Sequence, residues 1–156
     1  MIQRNQPIGL EDYTMRINSI LLVSTFILIL SVFTHPFAAH ADAKTFYQKQ
    51  LKSPATTFLV DVREPDEAAS EGMAKDARLV PTTVIDANGP AWQQLLDDLN
   101  KAKTHSYLTI GIYCRSGHRS SLVKSRLEAL GFSVENLGGF SDWKKEQLPT
   151  ESYKKP

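Results

Sequence analysis

The chain holds one cysteine, Cys114, in the stretch IYCRSGHRSS (residues 112–121). An apolar run leads to the sulfur, and two arginines, a histidine and a glycine follow within five residues. A thiol is a nucleophile only as the thiolate, and nearby cations, oriented backbone N–H groups and a helix N-terminus all favour that form. Arg115 and Arg119 supply fixed positive charge. Gly117 supplies the backbone freedom a tight loop needs. Successive N–H groups of such a loop, Ser116 and its neighbours, can converge on one point and hold an anion just before a helix begins near Ser120. The rival reading is an inert, buried cysteine, which behaves as a small hydrophobe and expects apolar neighbours on both sides. Here they stand on one side only, which favours a reactive thiolate. His118 suits the loop mouth, adding partial positive charge, better than the role of general base, because a thiolate stabilised by its surroundings needs none.

Such a loop needs a strand to deliver the sulfur and a helix to close behind it. Residues 106–114 form a continuous apolar run suited to a central strand covered on both faces. Residues 120–131 read as a helix, with Leu122, Val123, Leu127 and Leu130 turned to the sheet and Gly131 ending it. Elsewhere strand and helix alternate. Residues 43–53 read as a first helix capped by Asp42, and 57–63 as a buried strand. Residues 64–72 place Pro65 and acidic residues at a helix start, and 77–85 read as a short strand interrupted by Pro81. Residues 88–103 are a helix with Asn88 as cap and an apolar stripe of Trp92, Leu95, Leu96 and Leu99. A last strand at 132–137 leads into a short helix within 138–149. This alternation predicts an α/β fold with a mainly parallel sheet and helices on both faces, whose ligands bind outside the carboxyl ends of the strands. Cys114 sits at such an end.

Composition narrows the function. Hydrophobic residues make up 42% of the 156 residues, enough for a core. The net charge of +1 argues against nucleic acid as the main partner. One cysteine closes no internal disulfide and builds no multi-thiolate metal site, and with four histidines in all no metal and no cofactor are expected.

Residues 1–41 read as a signal peptide, with Met15 as an alternative start. Arg16 gives a short basic region, residues 17–33 are uncharged and mostly apolar, and Ala39-His40-Ala41 offers a cleavage pattern of small residues. Ala41-Asp42-Ala43 is a second such pattern. An uncleaved membrane anchor is the alternative, with residues 17–33 at the short end of a bilayer span. Both readings place residues 42–156 outside the cytoplasm, in a periplasmic or equivalent compartment. A cysteine without a structural partner there calls for a function.

Four stretches together resemble a single-domain rhodanese of the small periplasmic thiosulfate sulfurtransferase type: FLVDVREPDE (58–67), LVP (79–81), IYCRSGHRSS and NLGGFSDW (136–143). The resemblance spans residues 45–145. It implies a rhodanese-like fold of five parallel strands flanked by helices on both faces. It also implies a sulfurtransferase that moves a sulfane sulfur from thiosulfate or a similar small anionic donor through a Cys114 persulfide to an external thiol, cyanide or protein acceptor. Cys114 matches the nucleophile, and Arg115, Ser116, Gly117, His118 and Arg119 match the substrate-binding loop. Asp61 and Arg63 match the family's D-x-R, which braces the site; an ordinary exposed ion pair of about 0–1 kcal/mol is the plainer alternative. Related phosphatases on this fold have five residues between cysteine and arginine, and this chain has four, which favours sulfur over phosphate. A Cys-dependent phosphatase or arsenate reductase, and a non-catalytic persulfide carrier or thiol-redox partner, are the alternatives. The chain departs from the family's histidine-containing stretch at residues 71–81, where Met73 replaces the histidine, while Gly72, Ala77 and Pro81 fit. Trp92 and Trp143 are expected to fill the core.

Overall fold

The computed structural model describes residues 40–103 and 107–155. Among them the α-helices and strands follow in the order α1 (Ala43–Lys52), β1 (Thr57–Asp61), α2 (Pro65–Glu71), β2 (Met73–Ala74), β3 (Arg78–Leu79), α3 (Thr82–Asp86), α4 (Pro90–Lys103), β4 (Thr109–Cys114), α5 (His118–Ala129), β5 (Val134–Gly139), α6 (Phe140–Lys145) and β6 (Thr150–Glu151), with a 3-10 turn at Pro54–Thr56 before β1. Apart from His40 and Ala41, the targeting segment expected at 1–41 lies outside the described residues.

The expected parallel α/β architecture is present. Four parallel strands run in the order β3-β1-β4-β5, and β2 and β6 form a small antiparallel pair. The connection from β1 steps to one side and β4 enters on the other, so the order reverses between β1 and β4. A crevice at the carboxyl ends of such a pair is where open α/β sheets bind ligands. Asp61 ends β1 and Cys114 ends β4 there.

Alternation along the strands builds two cores. Val60, Ile110, Ile112 and Cys114 join Trp92, Leu95 and Leu99 of α4 and Val123 and Leu127 of α5 on one face. Leu59, Tyr113 and Leu137 join Phe46 of α1 and Phe140 and Trp143 of α6 on the other. Both tryptophans are buried at 1% exposure, as expected. Asp42 caps α1, accepting from the N–H groups of Lys44 and Thr45.

Several boundaries differ from the sequence reading, each for a local reason. The strand expected at 77–85 pairs only at Arg78–Leu79, because Pro81 has no N–H for the ladder and instead precedes a helical turn at Thr82–Asp86. Asn88 takes a left-handed conformation (φ 55°), and it is the Gly89 carbonyl that accepts the first bonds of α4, from Trp92 and Gln93. The α5 helix begins at His118, so His118 and Arg119 lie in its first turn. Val123 and Leu127 face the sheet as expected, but Leu122 is 62% exposed and Leu130 52% exposed. Leu122 sits one helical step of about 100° away from that stripe, and Leu130 lies past the last turn.

Candidate active site

Cys114 is fully buried at the end of β4, and its chain leaves the strand in a tight turn. Gly117 makes that turn possible. It adopts a left-handed conformation (φ 89°), sits immediately before α5, and donates its N–H to Cys114 Sγ at 3.1 Å. The Ser120 hydroxyl stands 3.6 Å from the same sulfur. Burial works against the charged sulfur, but the Ser120 hydroxyl and the N–H groups of Ser120, Ser116 and Gly117 outweigh it, so the Cys114 pKa falls below its ordinary value. The loop and the first turn of α5 thus gather hydrogen-bond donors around a buried sulfur.

The loop packs closely on the end of β5. The Arg115 carbonyl oxygen lies 2.6 Å from where a Cβ on Gly139 would stand, so only glycine admits this approach. Arg115 and His118 are exposed at the rim, and Arg115 has no ion-pair partner among the described residues. Arg119 differs. Its two terminal nitrogens grip the Glu67 carboxylate in a fork at 2.6 and 2.7 Å. That hydrogen-bonded guanidinium pulls the Glu67 pKa down to about 2. The positive charge expected at Arg119 is thus shared with a carboxylate, while Arg115 keeps its own. Glu67 also accepts from the Glu64 N–H, and Glu64 in turn accepts from the Thr82 and Thr83 hydroxyls, so α2 and α3 are tied to the first turn of α5.

Asp61 and Arg63 lie one strand away, and neither is exposed beyond 1%. Arg63 Nε and Nη2 reach the Asp61 carboxylate at 2.7–3.0 Å, and Nη2 also donates to the Gly72 carbonyl at 2.7 Å. The guanidinium carbon sits 4.2 Å from the Phe140 ring centre. Burial alone would lower the Arg63 pKa, but the bonds to Asp61 override it and raise it. This is a buried pair under an aromatic lid, unlike the exposed pair considered from sequence. It ties the end of β1 to Gly72, and the hydrogen bonds at the sulfur come from Ser120, Ser116 and Gly117 instead.

Three contributors escaped the sequence reading. Glu67 stands in the sequence as an acid at a helix start and at the end of FLVDVREPDE, with no role at the loop, though a loop arginine needing a counter-ion is a usable signal. Asn136, within the edge strand β5, bonds Ser120, Gly117 and Gly138. The His40 imidazole rests against Gly117 and Gly138, with its Nε2 2.4 Å from where a Cβ on Gly117 would be. Neighbouring Ala41 donates its N–H to the Asn136 carbonyl at 2.7 Å. Among the described residues no group of side chains is arranged to hold a metal.

Residues 42–146 match the rhodanese-like domain. The chain belongs to this family. It is 31% identical over 103 residues to YtwF of Bacillus subtilis, provisionally named a sulfurtransferase, covering 65% of this chain and 87% of that protein. It is 29% identical over 99 residues to a provisionally named mitochondrial thiosulfate sulfurtransferase of Schizosaccharomyces pombe, covering 60% of this chain and 64% of that protein. Among solved structures, the polysulfide-sulfur transferase homodimer of Wolinella succinogenes shares the fold at a TM-score of 0.54 and 23% identity, over 72% of this chain and 77% of that one. A Rhodopseudomonas palustris protein of unknown function, described as a possible tyrosine phosphatase, shares it at 0.52 and 19%, over 70% and 80%. Likeness at that identity speaks to fold alone, so sulfur and phosphate chemistry must be separated at the loop.

Proposed function

We propose that the chain is a sulfurtransferase acting through a Cys114 persulfide. One observation carries the reading: a buried sulfur with a lowered pKa lies at the floor of a four-residue loop whose N–H groups point at it. In the proposed reaction the Cys114 thiolate attacks the outer sulfur of thiosulfate or a similar sulfane donor. A new S–S bond forms, the donor's S–S bond breaks, and sulfite leaves with the electron pair. The persulfide's outer sulfur carries the negative charge, and the loop's N–H groups are placed to stabilise it. A thiol or cyanide then attacks that sulfur and restores the thiolate. No second cysteine exists to resolve the persulfide, so the sulfur passes to an external acceptor, a protein thiol among the candidates.

The side chains divide the work accordingly. Arg115, exposed at the rim, attracts the anionic donor, with His118 beside it at the mouth. Arg119, held by Glu67, fixes the first turn of α5, whose N–H groups face the sulfur. Asp61 and Arg63 hold the strand end beneath.

The compartment is part of the same proposal. Residues 1–41 direct export, with cleavage after Ala41, and an uncleaved anchor is the competing outcome. Cleavage there would also remove the His40 ring from Gly117 and Gly138. Sequencing the N-terminus of the exported chain decides between them.

The activity is tested by mixing the protein with thiosulfate and cyanide and following thiocyanate. Catalytic turnover that disappears in Cys114→Ser supports the enzyme. Single loading without turnover on cyanide or small thiols would instead make it a persulfide carrier. Hydrolysis of p-nitrophenyl phosphate, lost in the same variant, would favour the phosphatase.

A further inference from the structure

Asn136 lies on β5 in register with Ile112, two residues before the cysteine. Its side-chain oxygen accepts from the Ser120 hydroxyl at 2.8 Å and from the Gly138 N–H at 3.1 Å. Its side-chain nitrogen donates to the Gly117 carbonyl at 3.1 Å. A backbone donor on one side and a backbone acceptor on the other fix which way the amide points. We propose that Asn136 is a positioning residue for Cys114, holding the Gly117 carbonyl and the Ser120 side chain so that the Gly117 N–H and the Ser120 hydroxyl stand ready at the sulfur. The proposal rests on reading Cys114 as the nucleophile.

The clamp acts through one short segment. Gly117 offers its N–H to the sulfur and its carbonyl to Asn136, Ser120 and the Ser121 N–H. Gly117 has the freest backbone in the loop, and its N–H and carbonyl lie in successive peptide planes, so the donor stays aimed best when the carbonyl, already bound by Ser120 and Ser121 of α5, is also held from outside that helix. Asn136 comes from the neighbouring strand and does so.

The shared proton follows from counting donors. The Ser120 hydroxyl has one hydrogen and three acceptors in reach: Asn136 Oδ1 at 2.8 Å, the Gly117 carbonyl at 3.0 Å and Cys114 Sγ at 3.6 Å. Beside a neutral thiol the two oxygens hold it. Beside a thiolate the charged sulfur is the stronger acceptor, and a rotation of the hydroxyl delivers the hydrogen. Asn136 Oδ1 then keeps the Gly138 N–H as a partner, so the transfer strands no buried acceptor. The charged or titratable groups near the loop among the described residues include Arg115, His118, His40, Asp142, which accepts the Gly139 N–H, and the Arg119–Glu67 pair, and the Asn136 side chain bonds none of them.

The test is the pH–rate profile for alkylation of the full-length chain by iodoacetamide, whose midpoint reports the Cys114 thiol. Asn136→Ala removes both the hold on the Gly117 carbonyl and an oxygen that competes with the sulfur for the Ser120 hydrogen; with the hold dominant, as proposed, the midpoint moves upward by about one pH unit and alkylation well below it slows by roughly tenfold. Asn136→Asp should move it further, since it faces a carboxylate oxygen to the Gly117 carbonyl and adds negative charge near the sulfur. A folded Asn136→Ala protein with an unchanged or lower midpoint would reduce Asn136 to a structural brace and overturn the proposal. Should that variant not fold, Asn136→Ser, too short to reach the Gly117 carbonyl, carries the same test: a raised midpoint supports the positioning role and an unchanged or lower one overturns it. Alkylation requires the thiolate and access to it, but no sulfur transfer. A wild type with a low midpoint that never accepts sulfur would therefore defeat the sulfurtransferase reading and leave this inference standing.

Discussion

Replacing Asp61 by asparagine keeps the shape of the side chain and removes its charge, which leaves Arg63 as an unpaired cation at 1% exposure. The guanidinium would retain the Gly72 carbonyl and its packing on Phe140, but no counter-ion. Breaking a buried pair by removing one partner costs about 3–5 kcal/mol, because the other charge has been taken out of water without compensation. For a domain of this size that lowers the melting temperature by roughly 10–25 °C. The double variant Asp61→Leu with Arg63→Met removes both charges and fills similar volume, so it should be less destabilised than Asp61→Asn alone. Thermal and urea unfolding of the three proteins measure this. At temperatures where Asp61→Asn remains folded, Cys114 should alkylate at close to the wild-type rate, since the hydrogen bonds at the sulfur come from Ser120, Ser116 and Gly117. A loss below about 1 kcal/mol would mean the pair behaves as an exposed one. A double variant less stable than the single would show that the desolvated charge is not the source of the effect.

Two further outcomes follow from the site. Arg119 lowers the Glu67 pKa from 4.5 to about 2, and a lowered carboxyl pKa contributes stability that is fully present above 4.5 and disappears as the pH falls towards 2. Glu67→Gln should therefore cost about 1–2 kcal/mol at pH 7 and nothing measurable near pH 2, as read by chemical denaturation at both; an equal loss at both would contradict the pairing. Gly139→Ala would place a methyl group 2.6 Å from the Arg115 carbonyl oxygen, a backbone atom that cannot step aside alone. The loop must shift, and alkylation of Cys114 at pH 7 should slow by roughly tenfold or more. Unchanged alkylation would show that the loop is not held against β5.

The sequence showed most clearly what local pattern controls. The stripe of Trp92, Leu95 and Leu99 is buried as its spacing requires, and the apolar run before Cys114 forms a central strand. Asp42 caps its helix because its short carboxylate meets the first free N–H groups. What stayed hidden depends on residues far apart in the chain. Glu67 and Arg119 are 52 positions apart, and no pattern in either segment points to the other. The burial of Asp61 and Arg63 is made by Tyr113 and Phe140, which only the folded sheet brings over them. The β2–β6 pair has two residues per strand, too few for an alternating pattern to register. Pro81 marked a break correctly, but the turn of helix after it is too short to show a helical period.

The central claim is that Cys114 carries transferable sulfur, and intact mass spectrometry after incubation with thiosulfate and removal of excess donor tests it most directly. The account predicts a gain of about 32 Da, one sulfur atom, on the wild type, absent from Cys114→Ser and reversed by cyanide. No added sulfur from any sulfane donor, on a folded protein whose Cys114 still alkylates, would contradict it.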